Sequence, residues 1–239
     1  MTLNYAHRGA SGYFPENTLI AFEKAIEMGC DAIETDVQMT RDGELVLIHD
    51  ELVDRTTDGV GLVKNFSLKG LRELDAGTWH GSSPSLQHIP TAEELIILAK
   101  SQSININFEL KTGIVIYPEI ERKIIELIYK YNMQENVLLS SFNHYSMVEC
   151  KSIDKSVKAG LLYEAGLYKP SQYCKLAGCD AIHPNFYSVN EDIIHEAKKD
   201  GIWVNSYTVN NEEKMKQLLD YGIDGIITNY PDRLRSIIG

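Results

Sequence analysis

The feature that most restricts the fold of this chain is a regular alternation of short, β-rich apolar segments with amphipathic helical segments. Repeated β-helix-β units favour parallel strands that are joined by right-handed crossovers. Eight such units in 239 residues are typical of a closed (β/α)8 TIM barrel, which needs about 250 residues. The predicted barrel strands are Leu3–Ala6, Asp31–Val37, Asn105–Leu110, Val137–Ser141, Val157–Leu161, Ala181–His183, Trp203–Thr208 and Gly225–Thr228.

Helical patterns separate these strands. The first predicted helix has Asn17 or Thr18 as its candidate N-cap and ends at Gly29. No GxGxxG motif follows the first strand, which disfavours an open, dinucleotide-binding sheet. The other predicted helices are Thr91–Ser101, Pro118–Tyr131, His144–Ile153, Ser171–Leu176, Glu191–Lys199, Glu212–Leu219 and Asp232–Ile238.

One region interrupts the alternation. The second strand continues to Met39 and pairs with a third segment, Leu45–His49, through the turn residues Arg41-Asp42-Gly43. Residues from about 50 to 90 are rich in Gly, Asp, Thr and Ser and show no long periodic pattern. We therefore predict a single domain over residues 1–239, with a small insertion after strand 2 at roughly 50–90.

Charge and composition limit the partners of such a protein. The net charge of −11 disfavours binding to nucleic acid or to an anionic membrane surface, so a small molecule is the expected partner. No segment has the roughly 18 apolar residues of a membrane span, and the N-terminus shows no secretory signal. The cytoplasm is the expected compartment, in keeping with four cysteines that form no CxxC pair: Cys30, Cys150, Cys174 and Cys179.

Polar side chains are concentrated where the predicted strands end. In TIM barrels the active site lies at the C-terminal ends of the strands. The residues found there are His7 and Arg8, Glu34 and Asp36, His49, Glu109 and Lys111, Phe142, and Tyr207.

Three of these residues predict a metal site. Glu34 and Asp36 are two positions apart on one strand, so both carboxylates point to the same face and repel each other. With Glu109 they form an oxygen-only site that suits Mg²⁺ or Ca²⁺, and Mn²⁺ is also compatible. The alternative is a carboxylate cluster that is neutralised by Arg8 and Lys111.

His7 and His49 are the candidate acid–base pair. Phosphodiester hydrolysis removes a proton from the attacking oxygen and gives one to the departing alkoxide, and two imidazoles can divide these tasks. Arg8 and Lys111 would hold phosphoryl oxygens beside the cation. The spacing does not decide which histidine is the base.

The same residues lie in a series of motifs that resembles the glycerophosphodiester phosphodiesterases. The resemblance begins with His7-Arg8-Gly9 and Pro15-Glu16-Asn17-Thr18, which are similar to the HRG…PENT motif of that family. It continues over nearly the whole chain through Glu34-Thr35-Asp36-Val37, Asp42-Gly43, His49-Asp50, Ile89-Pro90-Thr91, Phe108-Glu109-Leu110-Lys111, Ser141-Phe142, Tyr207-Thr208-Val209-Asn210 and the segment from Asp224 to Asp232.

The resemblance implies a TIM barrel with a small insertion after the second strand, and release of sn-glycerol 3-phosphate and an alcohol from deacylated phospholipids. It implies that His7 and His49 are the general base and acid, and that Arg8 and Lys111 contact the phosphate. The implied metal ligands are Glu34, Asp36 and Glu109. Tyr207 stands where the family often has Trp, which leaves the alcohol preference open.

Four residues have alternative explanations. Glu16 can line the substrate site or stabilise the start of a helix. Phe142 and Tyr207 can form an apolar wall against the glycerol carbons or simply pack at the barrel rim. Asn17 is explained equally well as part of the site and as an N-cap.

Rival functions make different use of the same barrel. A lysophospholipase D or phospholipase C-like enzyme would need an apolar mouth, for which the insertion offers Phe66, Leu68, Leu71, Leu74 and Trp79. A glycosidase with a carboxylate pair would leave both histidines without a role. A non-catalytic barrel would tolerate replacement of His7 or Glu109.

Overall fold

The computed structural model describes residues 2–81 and 86–239, and within them eight parallel strands form a closed barrel. The pairing of β1 with β2 closes the ring, and a further strand, β3 (Leu45–Leu47), pairs antiparallel with β2 outside it. The predicted TIM barrel is confirmed. The barrel strands are β1 (Leu3–His7), β2 (Ala32–Met39), β4 (Asn105–Leu110), β5 (Val137–Ser141), β6 (Lys158–Tyr163), β7 (Ala181–Pro184), β8 (Trp203–Ser206) and β9 (Gly225–Thr228).

Helices follow the barrel strands, and side chains cap several of them. The Thr18 hydroxyl accepts a hydrogen bond from the backbone N–H of Ala21, so Thr18, and not Asn17, is the N-cap of the first helix. Thr91 and Glu94 form the reciprocal capping box of the third. The helices are α1 (Leu19–Glu27), α2 (Leu68–Leu71), α3 (Ala92–Gln102), α4 (Ile120–Lys130), α5 (His144–Ile153), α6 (Pro170–Leu176), α7 (Glu191–Lys199), α8 (Glu212–Asp220) and α9 (Pro231–Ile238).

Strand β2 shows how the barrel separates its apolar and polar side chains. All eight of its residues are buried. Ile33 and Val37 belong to the main apolar core, in which Phe22 of α1 is also buried. Because side chains alternate along a strand, Glu34 and Asp36 point to the opposite side, into the barrel. The alternation therefore delivers two acids to the lumen.

The segment between β3 and α3 has an apolar cluster of its own. Leu71 is fully buried there, and Phe66, Leu68 and Leu74 are half-buried against the cluster. These four residues do not form the exposed apolar mouth that the sequence suggested, because they cover Val46, Ile48 and other residues of that cluster. Trp79 alone among the five candidates keeps a large exposed fraction, at 38%.

Several strand ends differ from the prediction by one or two residues. Strand β1 includes His7, and β8 ends at Ser206, so Tyr207 lies just beyond it. Strand β3 ends at Leu47, two residues before His49. In the described part of the chain, the helices are all too short or too polar to cross a membrane.

Candidate active site

Three carboxylates converge inside the C-terminal end of the barrel. Asp36 of β2 lies directly opposite Glu109 of β4 in the parallel register, and Glu34 is two residues earlier on β2. One oxygen atom from each of the three side chains can be chosen so that all lie within 4.8 Å of one another, and all three residues are buried. The structure thus brings together the three acids that the sequence predicted as metal ligands.

This arrangement is electrostatically costly. Burial, together with Asp36 and Glu109, raises the pKa of Glu34 well above its ordinary value. Burial and Asp36 likewise raise the pKa of Glu109. For Asp36 the nearby Arg8 and Lys111 outweigh the opposite effect of burial and lower the pKa. Arg8 and Lys111 therefore stabilise the ionised form of Asp36, whereas the ionised forms of Glu34 and Glu109 remain unfavourable.

Arg8 and Lys111 approach the acids from opposite sides. The Arg8 guanidinium lies 2.8 Å from Glu16 Oε1 and, through Nε, 3.2 Å from Asp36 Oδ2. Lys111 Nζ lies 2.8 Å from Glu109 Oε1 and 3.7 Å from Asp36 Oδ1. That Asp36 oxygen is buried and accepts no hydrogen bond from the described residues. An oxygen-rich donor set with an unsatisfied buried carboxylate oxygen fits a hard divalent cation.

Asn17 fixes the orientation of Asp36. Its side-chain N–H donates to Asp36 Oδ2 at 2.9 Å, and its side-chain oxygen accepts from the Thr35 hydroxyl at 2.6 Å. Asn17 has a φ of 56°, in the left-handed region that asparagine tolerates better than most residues. The sequence left Asn17 as either an N-cap or a residue of the site, and these contacts support the second explanation.

The two histidines have different hydrogen-bond partners. His7 Nδ1 lies 2.6 Å from the side-chain oxygen of Asn229, so Nδ1 donates and Nε2, 3.9 Å from Glu34 Oε2, keeps its lone pair. Burial and the Arg8 guanidinium lower the pKa of His7 to about 3. His49 Nδ1 instead lies 2.6 Å from a carboxylate oxygen of Asp50. The partner of His7 is thus a neutral amide oxygen, whereas the partner of His49 is a carboxylate.

Arg55 links the two sides of the site. Its guanidinium donates through Nε to Asp50 Oδ2 at 2.7 Å, and to both oxygens of Glu16 at 2.9 and 2.8 Å. Asp50 is hydrogen-bonded to His49, and Glu16 accepts a hydrogen bond from Arg8. The Arg55 side chain therefore supports the partners of both groups. Hydrogen bonds from Arg55, followed by that with His49, lower the pKa of Asp50 to about 2.

Sequence reasoning missed Arg55 and the role of Asn229. Arg55 lies in the aperiodic segment, where no spacing indicates which way a side chain points. Asn229 lies within a matched motif but 222 residues from His7, so only the closed barrel brings them together. The His49-Asp50 pair was the one local signal for a supported imidazole.

Phe142 and Tyr207 form an aromatic wall at the mouth. Their ring centroids are 5.9 Å apart, and the rings meet edge to face at 89°. The Tyr207 hydroxyl donates to the Tyr163 carbonyl oxygen at 3.1 Å, which fixes the ring at the end of the barrel. Phe142 remains exposed on the solvent side.

Comparison with known proteins agrees with this geometry. Residues 7–233 match the model of the glycerophosphoryl diester phosphodiesterase family. The chain belongs to this family. It is 43% identical to the glycerophosphodiester phosphodiesterase of Caldanaerobacter subterraneus subsp. tengcongensis over 99% of this chain and 98% of that protein. It is 38% identical to the glycerophosphodiester phosphodiesterase of Bacillus altitudinis, over 98% and 96% of the two chains.

Solved structures of family members share the fold. The glycerophosphoryl diester phosphodiesterase of Silicibacter pomeroyi superposes with a TM-score of 0.89 at 26% identity, over 100% of this chain and 93% of that one. An Oleispira antarctica phosphodiesterase, solved in complex with the product sn-glycerol-3-phosphate, superposes with a TM-score of 0.87 at 30% identity, over 98% and 95% of the chains. The family relationship therefore covers the whole barrel.

The acid cluster generates a test of metal binding that does not depend on activity. We expect Mg²⁺, Ca²⁺ or Mn²⁺ at about 100 times its dissociation constant to stabilise the fold by about 2.7 kcal/mol. For a protein of this size, that is a rise in the unfolding temperature of roughly 5–10 °C. Differential scanning calorimetry with and without each ion measures it.

The variant Glu34→Gln separates metal binding from stability. Because the pKa of Glu34 is raised in the fold, its ionised form destabilises the protein near neutral pH, and the amide removes that cost. We expect the metal-free variant to unfold no earlier than the wild type and to lose most of the metal-dependent rise. Glu44→Gln, in the hairpin after β2, is the matched control. A full rise in Glu34→Gln would rule out this site.

Proposed function

We propose that the chain hydrolyses glycerophosphodiesters to sn-glycerol 3-phosphate and an alcohol, with the help of one divalent cation and two histidines. The observation that supports this most is the position of His7 and His49 beside three converging carboxylates at the C-terminal end of the barrel. The product bound in the related Oleispira antarctica phosphodiesterase is the same glycerol phosphate.

Each polar residue has a distinct part in this proposal. Glu34, Asp36 and Glu109 hold the cation, Mg²⁺ or Ca²⁺ with Mn²⁺ as a substitute, which when bound polarises a phosphoryl oxygen. Arg8 and Lys111 bind the remaining phosphoryl oxygens. Both carboxylate oxygens of Glu16 already accept hydrogen bonds from arginines, so we assign it to holding Arg8 in place and not to direct contact with substrate.

The partners of the histidines suggest a division of roles. His7, held by a neutral amide and close to Arg8, is neutral, and its free Nε2 can accept the proton of the attacking oxygen. His49 Nδ1 lies 2.6 Å from the Asp50 carboxylate, which orients the ring, and we assign His49 as the general acid. In this scheme the bond from phosphorus to the alcohol oxygen breaks, and the proton of His49 neutralises the departing alkoxide.

A carboxylate-pair glycosidase fits the same site less well. Retaining glycosidases have carboxyl groups about 5–5.5 Å apart, and inverting enzymes about 6.5–9.5 Å apart. Here three acids, and not a pair, each place an oxygen within 4.8 Å of the others, which suits a shared cation. The two histidines, Arg8 and Lys111 would also have no role in glycosidase chemistry.

The proposed reaction is tested directly with glycerophosphocholine. We expect release of glycerol 3-phosphate in the presence of Mg²⁺, Ca²⁺ or Mn²⁺, complete loss after EDTA and gel filtration, and recovery on re-addition of the ion. Coupled glycerol-3-phosphate dehydrogenase measures the product, and an aryl glycoside serves as the negative substrate. Full activity after thorough chelation would contradict metal dependence.

The assignment of His49 as the acid predicts a dependence on the leaving group. We expect His49→Ala to lose about 10²–10⁴-fold in kcat on glycerophosphocholine. It should lose far less on a p-nitrophenyl phosphodiester, because nitrophenolate departs without a proton. His7→Ala should be equally impaired on both substrates. Rescue of His7→Ala, and not of His49→Ala, by the activated leaving group would reverse the roles.

The bridging position of Arg55 predicts that it positions two catalytic groups. We expect Arg55→Ala to lower kcat by roughly 10–100-fold, because small displacements of reacting groups cost that much. It should also raise KM, since Glu16 no longer has a second arginine to hold it against Arg8. Arg122→Ala, which removes an exposed ion pair with Glu119, is the control and should have wild-type kinetics. Unchanged kcat in Arg55→Ala would show that Asp50 alone orients His49.

A further inference from the structure

A second cavity lies at the N-terminal end of the barrel, opposite the candidate active site. Among its lining residues are Leu3, Asn105, Lys158 and Trp203. These are the first residues of β1, β4, β6 and β8, and the starts of parallel strands meet at one end of a barrel. The volume of about 520 Å³ falls within the roughly 300–1,000 Å³ that is usual for ligand sites. We call this space the N-terminal cavity.

Small residues in the strands leave room for the cavity. The lumen of a TIM barrel is usually filled by bulky branched side chains. Here Ala32 pairs in register with Tyr5, and Gly225 pairs in register with Asn205. A Cβ atom at Gly225 would collide with Asn205 Oδ1 and with the Tyr5 ring. Glycine at this position therefore allows both polar side chains to lie over β9 beside the cavity.

The Tyr5 hydroxyl lacks a partner within the protein. Tyr5 lines the cavity and is only 6% exposed, yet its hydroxyl forms no hydrogen bond with the described residues. Burial, followed by the charges of Asp224 and Asp31, raises the pKa of Tyr5, so the hydroxyl keeps its proton and can donate. A buried hydroxyl without a partner calls for one from a molecule in the cavity.

Three asparagines add further free donors and acceptors. The buried Asn205 donates through Nδ2 to His183 Nε2 at 3.1 Å, and its Oδ1 accepts no hydrogen bond from the described part of the chain. Asn136 Nδ2 donates to Asn105 Oδ1 at 3.0 Å. That bond leaves the Asn105 amide hydrogens and Asn136 Oδ1 available to a ligand. The lining thus combines donors with acceptors.

The charges at the cavity favour a neutral ligand. Glu135 and Asp224 line it together with a single ammonium group, that of Lys158, so an anion such as phosphate would be repelled. Lys158 Nζ lies 3.8 Å from Asp180 Oδ1 and 5.8 Å from the centroid of the Trp203 ring. An organic cation would have to compete with this ammonium group for the aromatic face.

We propose that the N-terminal cavity binds a neutral cyclic polyol, the chemistry that a sugar and an inositol share. Each ring hydroxyl both donates and accepts, as the Tyr5 hydroxyl, Asn205 Oδ1 and the other two asparagine amides require. The C–H face of the ring would pack on Trp203 and Leu3. This site lies at the other end of the barrel from the three carboxylates, so its occupation needs neither the cation nor hydrolysis of a phosphodiester.

The two tryptophans of the chain provide a direct test. The variant Trp79→Phe leaves Trp203 as the sole tryptophan, and its fluorescence then reports on the N-terminal cavity. The probes are glucose, galactose, maltose and myo-inositol at millimolar concentrations. We expect a saturable change in the fluorescence of Trp203 with at least one of them, and isothermal titration calorimetry of the wild type should give the same dissociation constant.

Two variants locate the bound polyol. We expect Trp203→Ala to weaken binding about tenfold, because the ring loses its aromatic contact. Asn136→Ala should weaken it about fivefold through the loss of one hydrogen bond. Trp79→Ala is the matched control, since Trp79 is 38% exposed and Trp203 is 44% exposed, and it should keep the wild-type affinity. All three variants should retain wild-type hydrolysis of glycerophosphocholine, because their side chains lie outside the site proposed for catalysis.

The possible results separate this site from the catalytic one. Unchanged affinity in Trp203→Ala, or displacement of the polyol by glycerol 3-phosphate, would place the ligand at the catalytic end and overturn the proposal. Absence of binding by every polyol would also overturn it, as would binding of inorganic phosphate or choline that depends on Trp203. A response to sugars alone or to inositol alone supports the proposal and identifies the source of the ligand. Because binding is measured without turnover, a failure of the proposed hydrolysis leaves this test intact.

Discussion

The candidate site depends on three carboxylates that the closed barrel holds close together. The parallel register sets Asp36 beside Glu109, and the strand period adds Glu34 on the same side. Arg8 and Lys111 stabilise Asp36, yet they leave the pKa values of both glutamates raised. Holding the three carboxylates together lowers the stability of the fold. A bound divalent cation would offset this repulsion.

The histidines share this centre but differ in their surroundings. His7 is hydrogen-bonded to Asn229, which follows the last strand. Closure of the barrel therefore brings Asn229 to His7 and orients the imidazole. His49 rests on Asp50, and Arg55 connects that carboxylate to Glu16 and hence to Arg8. The residues proposed for proton transfer and for phosphate binding are thereby linked through one guanidinium, whose five donors have a fixed planar geometry.

The alternation of side chains along a strand made part of this site predictable from the sequence, but it did not predict the rest. Alternation along β2 is a local property, so the shared direction of Glu34 and Asp36 follows from sequence alone. The contact between Arg55 and Glu16 joins residues 39 apart through an aperiodic segment, and no local rule specifies it. The same absence of periodicity explains why Phe66, Leu68 and Leu74 seemed to offer an exposed mouth, whereas they pack inward.

The two sides of the mouth follow different constraints. The groups proposed for chemistry, from His7 to Lys111, lie in the motifs that the chain shares with its family. Ile114, Ile116, Tyr168 and Tyr187 lie outside those motifs, in loops after β4, β6 and β7. In a TIM barrel such loops vary while the strand ends retain the chemistry. Family membership therefore defines the class of bond that is broken, a phosphodiester, whereas the loops after β4, β6 and β7 lie outside the motifs that indicate the family.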